Sequence, residues 1–249
     1  MASSTRLRAA NLALAVLHAG QAVAIVAIGA SLAIPITAQW AEGPPGSALG
    51  SPETLFDLPV RWAVAAFLLL AALDHLLVAS PGIVRWYERN LERGINEARW
   101  LEYSLSASLM VVLIATVAGV TDLRALVAVG GVNAAMIFFG LLMERVNLGR
   151  ERPDWLPFWL GCVAGAVPWV VVAISLVGSE LDGSVPGFVW GIFVSLFLFF
   201  NSFAVNMWLQ YRGVGPWRRY VVGEWGYLVL SLLAKSALAW QIYAGALAG

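Results

Sequence analysis

One lysine stands in this chain, Lys235, and it sits inside an apolar run, LSLLAKSALAWQ, at residues 230–241. The other fourteen basic residues are arginine. Arginine stays protonated and is a poor nucleophile, whereas a desolvated lysine can release its proton and attack a carbonyl carbon to form a Schiff base. A lysine near the middle of an apolar helix is costly, and such a residue marks function by default. The competing reading is a lysine that snorkels to the surface or pairs with a carboxylate for structural reasons. The central position of Lys235 in its segment argues against snorkelling.

The residues that could work with Lys235 follow from depth and spacing. Ser231 lies one helical turn earlier on the same face, and helical side chains lean toward the helix N-terminus. Its hydroxyl is either a hydrogen-bond partner of the amine or bonded to its own preceding turn. Glu102, in RWLEYSLSAS at 99–108, is the candidate counterion, because a buried cation needs a buried anion. The alternative is an interfacial glutamate bonded to Arg99 or to lipid headgroups. His18, His75 and Asp74 fall in the same half and suggest a polar inner cavity able to hold or pass protons. The bland reading is packed, hydrogen-bonded histidines. No ligand spacing supports a metal on them. Asn133 and Asn201 are near mid-depth and serve either as helix–helix glue or as pocket lining. Phe200, Trp159, Trp169 and Trp240 could wall a long apolar ligand, although aromatic residues at such positions are usually plain packing.

These side chains have to be positioned by membrane helices. The chain has 249 residues, 60% of them hydrophobic and 12% charged, which is an integral membrane composition. Seven segments are long and apolar enough to span, near 11–34, 60–79, 99–120, 124–143, 157–178, 186–210 and 223–246. The expected fold is an all-α, seven-transmembrane-helix bundle forming one domain over 1–249, with no soluble domain. The first apolar run is read as a retained helix rather than a cleaved signal. One cysteine, Cys162, excludes an internal disulfide and a cysteine-based metal site. The zero net charge gives no hint of nucleic acid.

The first connection is the only long one. It holds GPPG at 43–46, a turn signal, and TAQW before it carries a strand signal that would make a small β-hairpin. The loop at 80–98 is rich in charges of both signs, with a helical signal at its end. GCVAGAVPW at 161–169 supplies small residues for close packing and a proline that should kink its helix. Twelve arginines fall on the side of the N-terminus and two, Arg61 and Arg124, on the other. By the positive-inside rule the N-terminus is cytoplasmic and the C-terminus extracellular. Glu42, Glu53, Asp57, Asp122, Glu180 and Asp182 fall on the outer side.

RWLEYSLSAS, PFWLGCVAGAVPW, VPGFVWG, SLFLFFNSFA and LSLLAKSALAWQ resemble segments of the heliorhodopsins, and the resemblance runs through nearly the whole chain. It implies a rhodopsin-like, light-sensing protein that is not an enzyme. Its cofactor would be all-trans retinal, held as a protonated Schiff base on Lys235 with Glu102 as counterion and Ser231 bonded to the Schiff base. The same resemblance implies pocket positions at Met110, Asn133, Ile137, Trp159 and Phe200, and a hydrated inner cavity with His18 and His75. It further implies an N-terminus-inside orientation and a homodimer formed through the first outer loop. Ala71 and Ala107 depart from the small hydroxyl residues of some relatives, so the cavity's hydrogen bonds should differ.

No second carboxylate follows on the Glu102 face, which continues with Ser106, Leu109, Met110 and Leu113. That favours a sensor over a pump, as the resemblance also implies together with a slow photocycle, and the short loops do not identify a signalling partner. A light-driven ion transporter or channel of the same fold is the runner-up. A bundle that does not use retinal would need a second continuous polar stripe, and the sequence has none.

Overall fold

The computed structural model describes residues 2–181, 183 and 185–248, so Asp182 lies outside the described residues. In order, the elements are α1 (Ala2–Ile28), β1 (Ala33–Ala38), β2 (Glu53–Pro59), α2 (Val60–Ala79), α3 (Val84–Glu92), α4 (Glu97–Val117), α5 (Leu123–Val146), α6 (Leu156–Leu181), α7 (Gly187–Arg212) and α8 (Tyr220–Ile242). A 3-10 turn, Gly215–Arg218, precedes α8, and a π turn, Tyr243–Leu247, extends it. Seven of the helices are long and apolar enough to cross a membrane: α1, α2 and α4 to α8. The chain is an integral, multi-pass membrane protein in contact with lipid.

Two boundaries differ from the sequence reading for identifiable reasons. Hydropathy places the first span at 11–34, but α1 begins at Ala2 and stops at Ile28. The apolar residues after Gly29 leave the helix and pair as a strand, with Ala33 opposite Pro59 and Ile36 opposite Phe56. Mean hydropathy sees an apolar stretch and cannot distinguish helix from strand within it. In the second connection the helix sits in the middle, as α3, and α4 then starts at Glu97.

Local chemistry sets the helix ends. The Asn96 side chain caps α4 by accepting from the Arg99 backbone N–H at 3.1 Å, and Asp122 caps α5 by accepting from the N–H groups of Arg124 and Ala125. Gly213 closes α7 at φ 62°, a left-handed conformation that favours glycine. The antiparallel hairpin is bulged between Ile36 and Thr37. It is pinned to the α4–α5 turn by the Thr37 N–H, which donates to the Thr121 carbonyl at 2.9 Å.

The bundle's centre is apolar, with Val64, Phe67, Leu68, Leu113, Leu176, Leu196 and Leu238 fully buried. Large apolar side chains also cover the outside, among them Val16, Val163, Ile174 and Leu181. Lipid is as apolar as those residues, so helix association here rests on close packing and interhelical hydrogen bonds rather than on exclusion of water. The odd number of spans puts the two ends of the chain on opposite faces. One is the N-terminal face and the other the hairpin face.

Candidate functional site

Lys235 is 3% exposed and sits on α8 with its amine turned toward α4. The Nζ donates to Ser231 Oγ at 2.9 Å, the one-turn partner on its own helix. It also meets the Glu102 carboxylate, with Oε1 at 3.2 Å and Oε2 at 3.4 Å. The Oε1 contact lacks hydrogen-bond alignment, so this is an ion pair of looser geometry than the serine bond. Both partners are buried, and each would be costly alone in low dielectric. The structure therefore brings together a desolvated primary amine, a carboxylate and a hydroxyl at one point.

Beside the amine lies a cavity of about 300 Å³ whose walls include Lys235, Ser231, Met110, Ile137, Trp169 and Phe200. Its size and largely apolar lining suit a small organic ligand. Lys235 carries the primary amine in that wall, the group able to condense with an aldehyde to a Schiff base. An apolar aldehyde fits this arrangement: the walls take its hydrocarbon, the amine takes its carbonyl carbon, and Glu102 offsets the resulting cation.

The other expected pocket residues separate. Asn133 is buried but lies outside the cavity wall, and its Nδ2 donates to Ser108 Oγ at 3.1 Å, joining α5 to α4. Trp159 is 59% exposed on the outer surface of α6 and is not in the wall. The lining residues of α6 recur as Phe158, Cys162, Ala166 and Trp169. Trp159 is rotated off that stripe by one residue, about 100° of helix. Trp240 is also outside, donating to Gln21 at 3.1 Å. Asn201 is in the wall, although its Nδ2 is bonded to the Phe197 carbonyl.

On the N-terminal side of the amine, His18 and His75 stack with ring centroids 5.7 Å apart. His75 Nδ1 pairs with Asn11 Oδ1 at 2.8 Å, and both His18 nitrogens are buried without a protein partner. Asp74, His75, Asn11 and Glu102 line a second pocket of about 20 Å³, room for roughly one water. Ala71 is buried and Ala107 lies in the wall of the large cavity, and neither can hydrogen-bond there through its side chain. Among the described residues, no three His, Cys, Asp or Glu side chains converge for a metal.

Sequence reasoning missed the largest charge cluster. Arg99, read from sequence as one of the twelve arginines on the N-terminal side, is 4% exposed and donates to both Glu144 and Glu224. Glu144 also accepts from Trp100 Nε1 at 2.6 Å, the Asn96 N–H at 2.9 Å and the Tyr220 hydroxyl at 2.9 Å. Asn96 Nδ2 donates to Glu224 at 2.9 Å, and the guanidinium lies 3.9 Å from the Tyr227 ring centroid. The signal available in the sequence was a carboxylate at the very end of a span, at 144 and again at 224.

The fold belongs with the seven-helix membrane bundles of the microbial-rhodopsin type. The crystal structure of a light-driven proton pump from Leptosphaeria maculans superposes with a TM-score of 0.65, covering 97% of this chain and 95% of that one at 14% identity. At that identity the likeness concerns the fold alone. No curated protein matches the chain. The chain belongs to the heliorhodopsin family, whose profile matches residues 7–247, and it is therefore a non-enzymatic retinal protein.

Proposed function

We propose that this heliorhodopsin is a light sensor in which all-trans retinal is carried on Lys235 as a protonated Schiff base, with Glu102 as counterion and Ser231 as hydrogen-bond acceptor. The observation that carries this reading is the buried Lys235 amine, 2.9 Å from Ser231 and 3.2 Å from Glu102, at the wall of an apolar cavity. The bound group supplies light absorption and a change of shape. The protein's own residues hold the charge and receive the proton: Glu102 Oε1 and Oε2 offset the cation, and Asp74 and His75 face the small pocket on the far side of Glu102. His18, stacked on His75, extends that polar region.

Signalling after a slow photocycle fits better than pumping. Between Lys235 and the hairpin face, no Asp, Glu, His, Lys or Arg is buried among the described residues. A proton leaving toward the N-terminal side has polar groups to meet, and one leaving toward the hairpin has no carrier. The arginine bias favours a cytoplasmic N-terminus and an extracellular C-terminus. The hairpin exposes Leu55 and Phe56, with Trp40 beside it, an apolar surface suited to a homodimer contact.

The test is Glu102→Gln in the retinal-loaded protein. Removing the anion beside a delocalised cation lowers the excitation energy, so the visible band should move strongly to the red. An unmoved band would remove Glu102 from the counterion role.

A further inference from the structure

The Lys235–Glu102 pair straddles a partition. Lys235 and Ser231 line the large cavity, and Glu102 lines the small inner pocket with Asp74 and Arg99. Tyr103 and Tyr227 line both. The Tyr103 ring is fixed on several sides. Its hydroxyl donates to the Tyr227 backbone carbonyl at 3.2 Å, and its ring packs edge-on against Phe203 at 5.6 Å and Trp100 at 6.5 Å. The Lys235 Nζ lies 4.9 Å from the ring centroid. A cation within about 6 Å of an aromatic centroid is attracted by the ring quadrupole, and more strongly when desolvated. Glu102 and Tyr103 are consecutive on α4, so carboxylate and ring leave the helix about 100° apart. The nitrogen is thus approached by Glu102, by the Tyr103 ring and by Ser231 from its own helix.

We infer that Tyr103 is a positioning residue of the Lys235 site: its ring holds the nitrogen cation beside Glu102 and closes the large cavity off from the inner pocket. The ring carries both roles; the hydroxyl anchors it to the Tyr227 carbonyl and also approaches Ser231. The inference rests on Lys235 being the working residue, and its test needs no retinal.

Because Lys235 is the chain's sole lysine, reductive methylation with formaldehyde and cyanoborohydride reports one side chain, which peptide mass spectrometry separates from the terminal amine. The native protein, prepared without retinal, is compared with Tyr103→Phe, Tyr103→Leu and Tyr103→Met. Thermal unfolding establishes that each is folded, and the flexible methionine serves where leucine leaves a gap. Loss of the ring favours the neutral, nucleophilic amine and opens its surroundings to reagent. Leucine and methionine carry no ring, so Tyr103→Leu and Tyr103→Met should both be methylated at least about fivefold faster, while Tyr103→Phe stays within about twofold of native. Native rates for Tyr103→Leu and Tyr103→Met would overturn the inference, as would a Tyr103→Phe rate equal to theirs. Hydroxylamine bleaching of the retinal-loaded proteins should follow the same order. Failure to bind retinal would strike the proposed function and leave the methylation result standing.

Discussion

The two halves of the bundle are built differently. Toward the N-terminal face, Arg99, Glu144, Glu224, Glu102, His18 and His75 are all buried. Toward the hairpin face, the buried polar side chains of α4 are Ser106 and Thr116, both neutral, and α7 joins α8 through the half-buried Ser195 and Gln241, also neutral. Lys235 stands at the boundary. The desolvation cost of ionic groups is thus concentrated on one side, where Arg99, Glu144 and Glu224 share one cluster and Glu102 pairs with Lys235. An internal proton or charge rearrangement would find buried ionisable partners on that side, and among the described residues none is buried on the other. On the proposed reading, an event at Lys235 would be felt at one end of the molecule.

The strongest way to break this asymmetry is Arg99→Ala. It leaves Glu144 and Glu224 facing each other without their shared cation, and removing one member of a buried ion cluster typically costs about 3–5 kcal/mol. Thermal unfolding in detergent should show a large loss of stability. A near-native midpoint would mean that the cluster is hydrated and the N-terminal half is less sealed than its burial indicates.

A smaller effect should follow from Ser231→Ala. The amine loses its 2.9 Å acceptor, and a hydrogen bond to a charged group contributes about 1.5–3 kcal/mol. The visible band of the loaded protein should shift less than in Glu102→Gln. The hairpin half sets the lower end of the scale. Gln241→Leu removes a 3.0 Å bond to Ser195, and interhelical side-chain bonds of this kind average about 0.6 kcal/mol. Its unfolding midpoint should barely move and its spectrum not at all. A spectral change there would place a functional group in the neutral half.

Much of this organisation is readable in the chain. Lys235 announces itself because a lone lysine in an apolar helix is costly, and Ser231 follows from helical spacing. Glu102 follows from the need for an anion at similar depth. Seven spans follow from hydropathy. Other features depend on packing that no local pattern carries. Arg99 meets partners 45 and 125 positions away, and in sequence it looks like any interfacial arginine. Phe158 and Trp159 are adjacent aromatics, and only the rotation of α6 decides that the first faces the cavity. The end of α1 is hidden because the residues that become β1 are as apolar as the helix before them.

Because Lys235 is the sole lysine, whether it carries the chromophore can be read from a single labelled peptide. Purified protein is incubated with all-trans retinal, its visible spectrum is recorded, and it is then reduced with borohydride and digested, alongside Lys235→Ala. The native protein should show a visible band and a retinyl mass on the Lys235 peptide, and the variant neither. A folded native protein with no visible band, or a band that survives in Lys235→Ala, would contradict the claim.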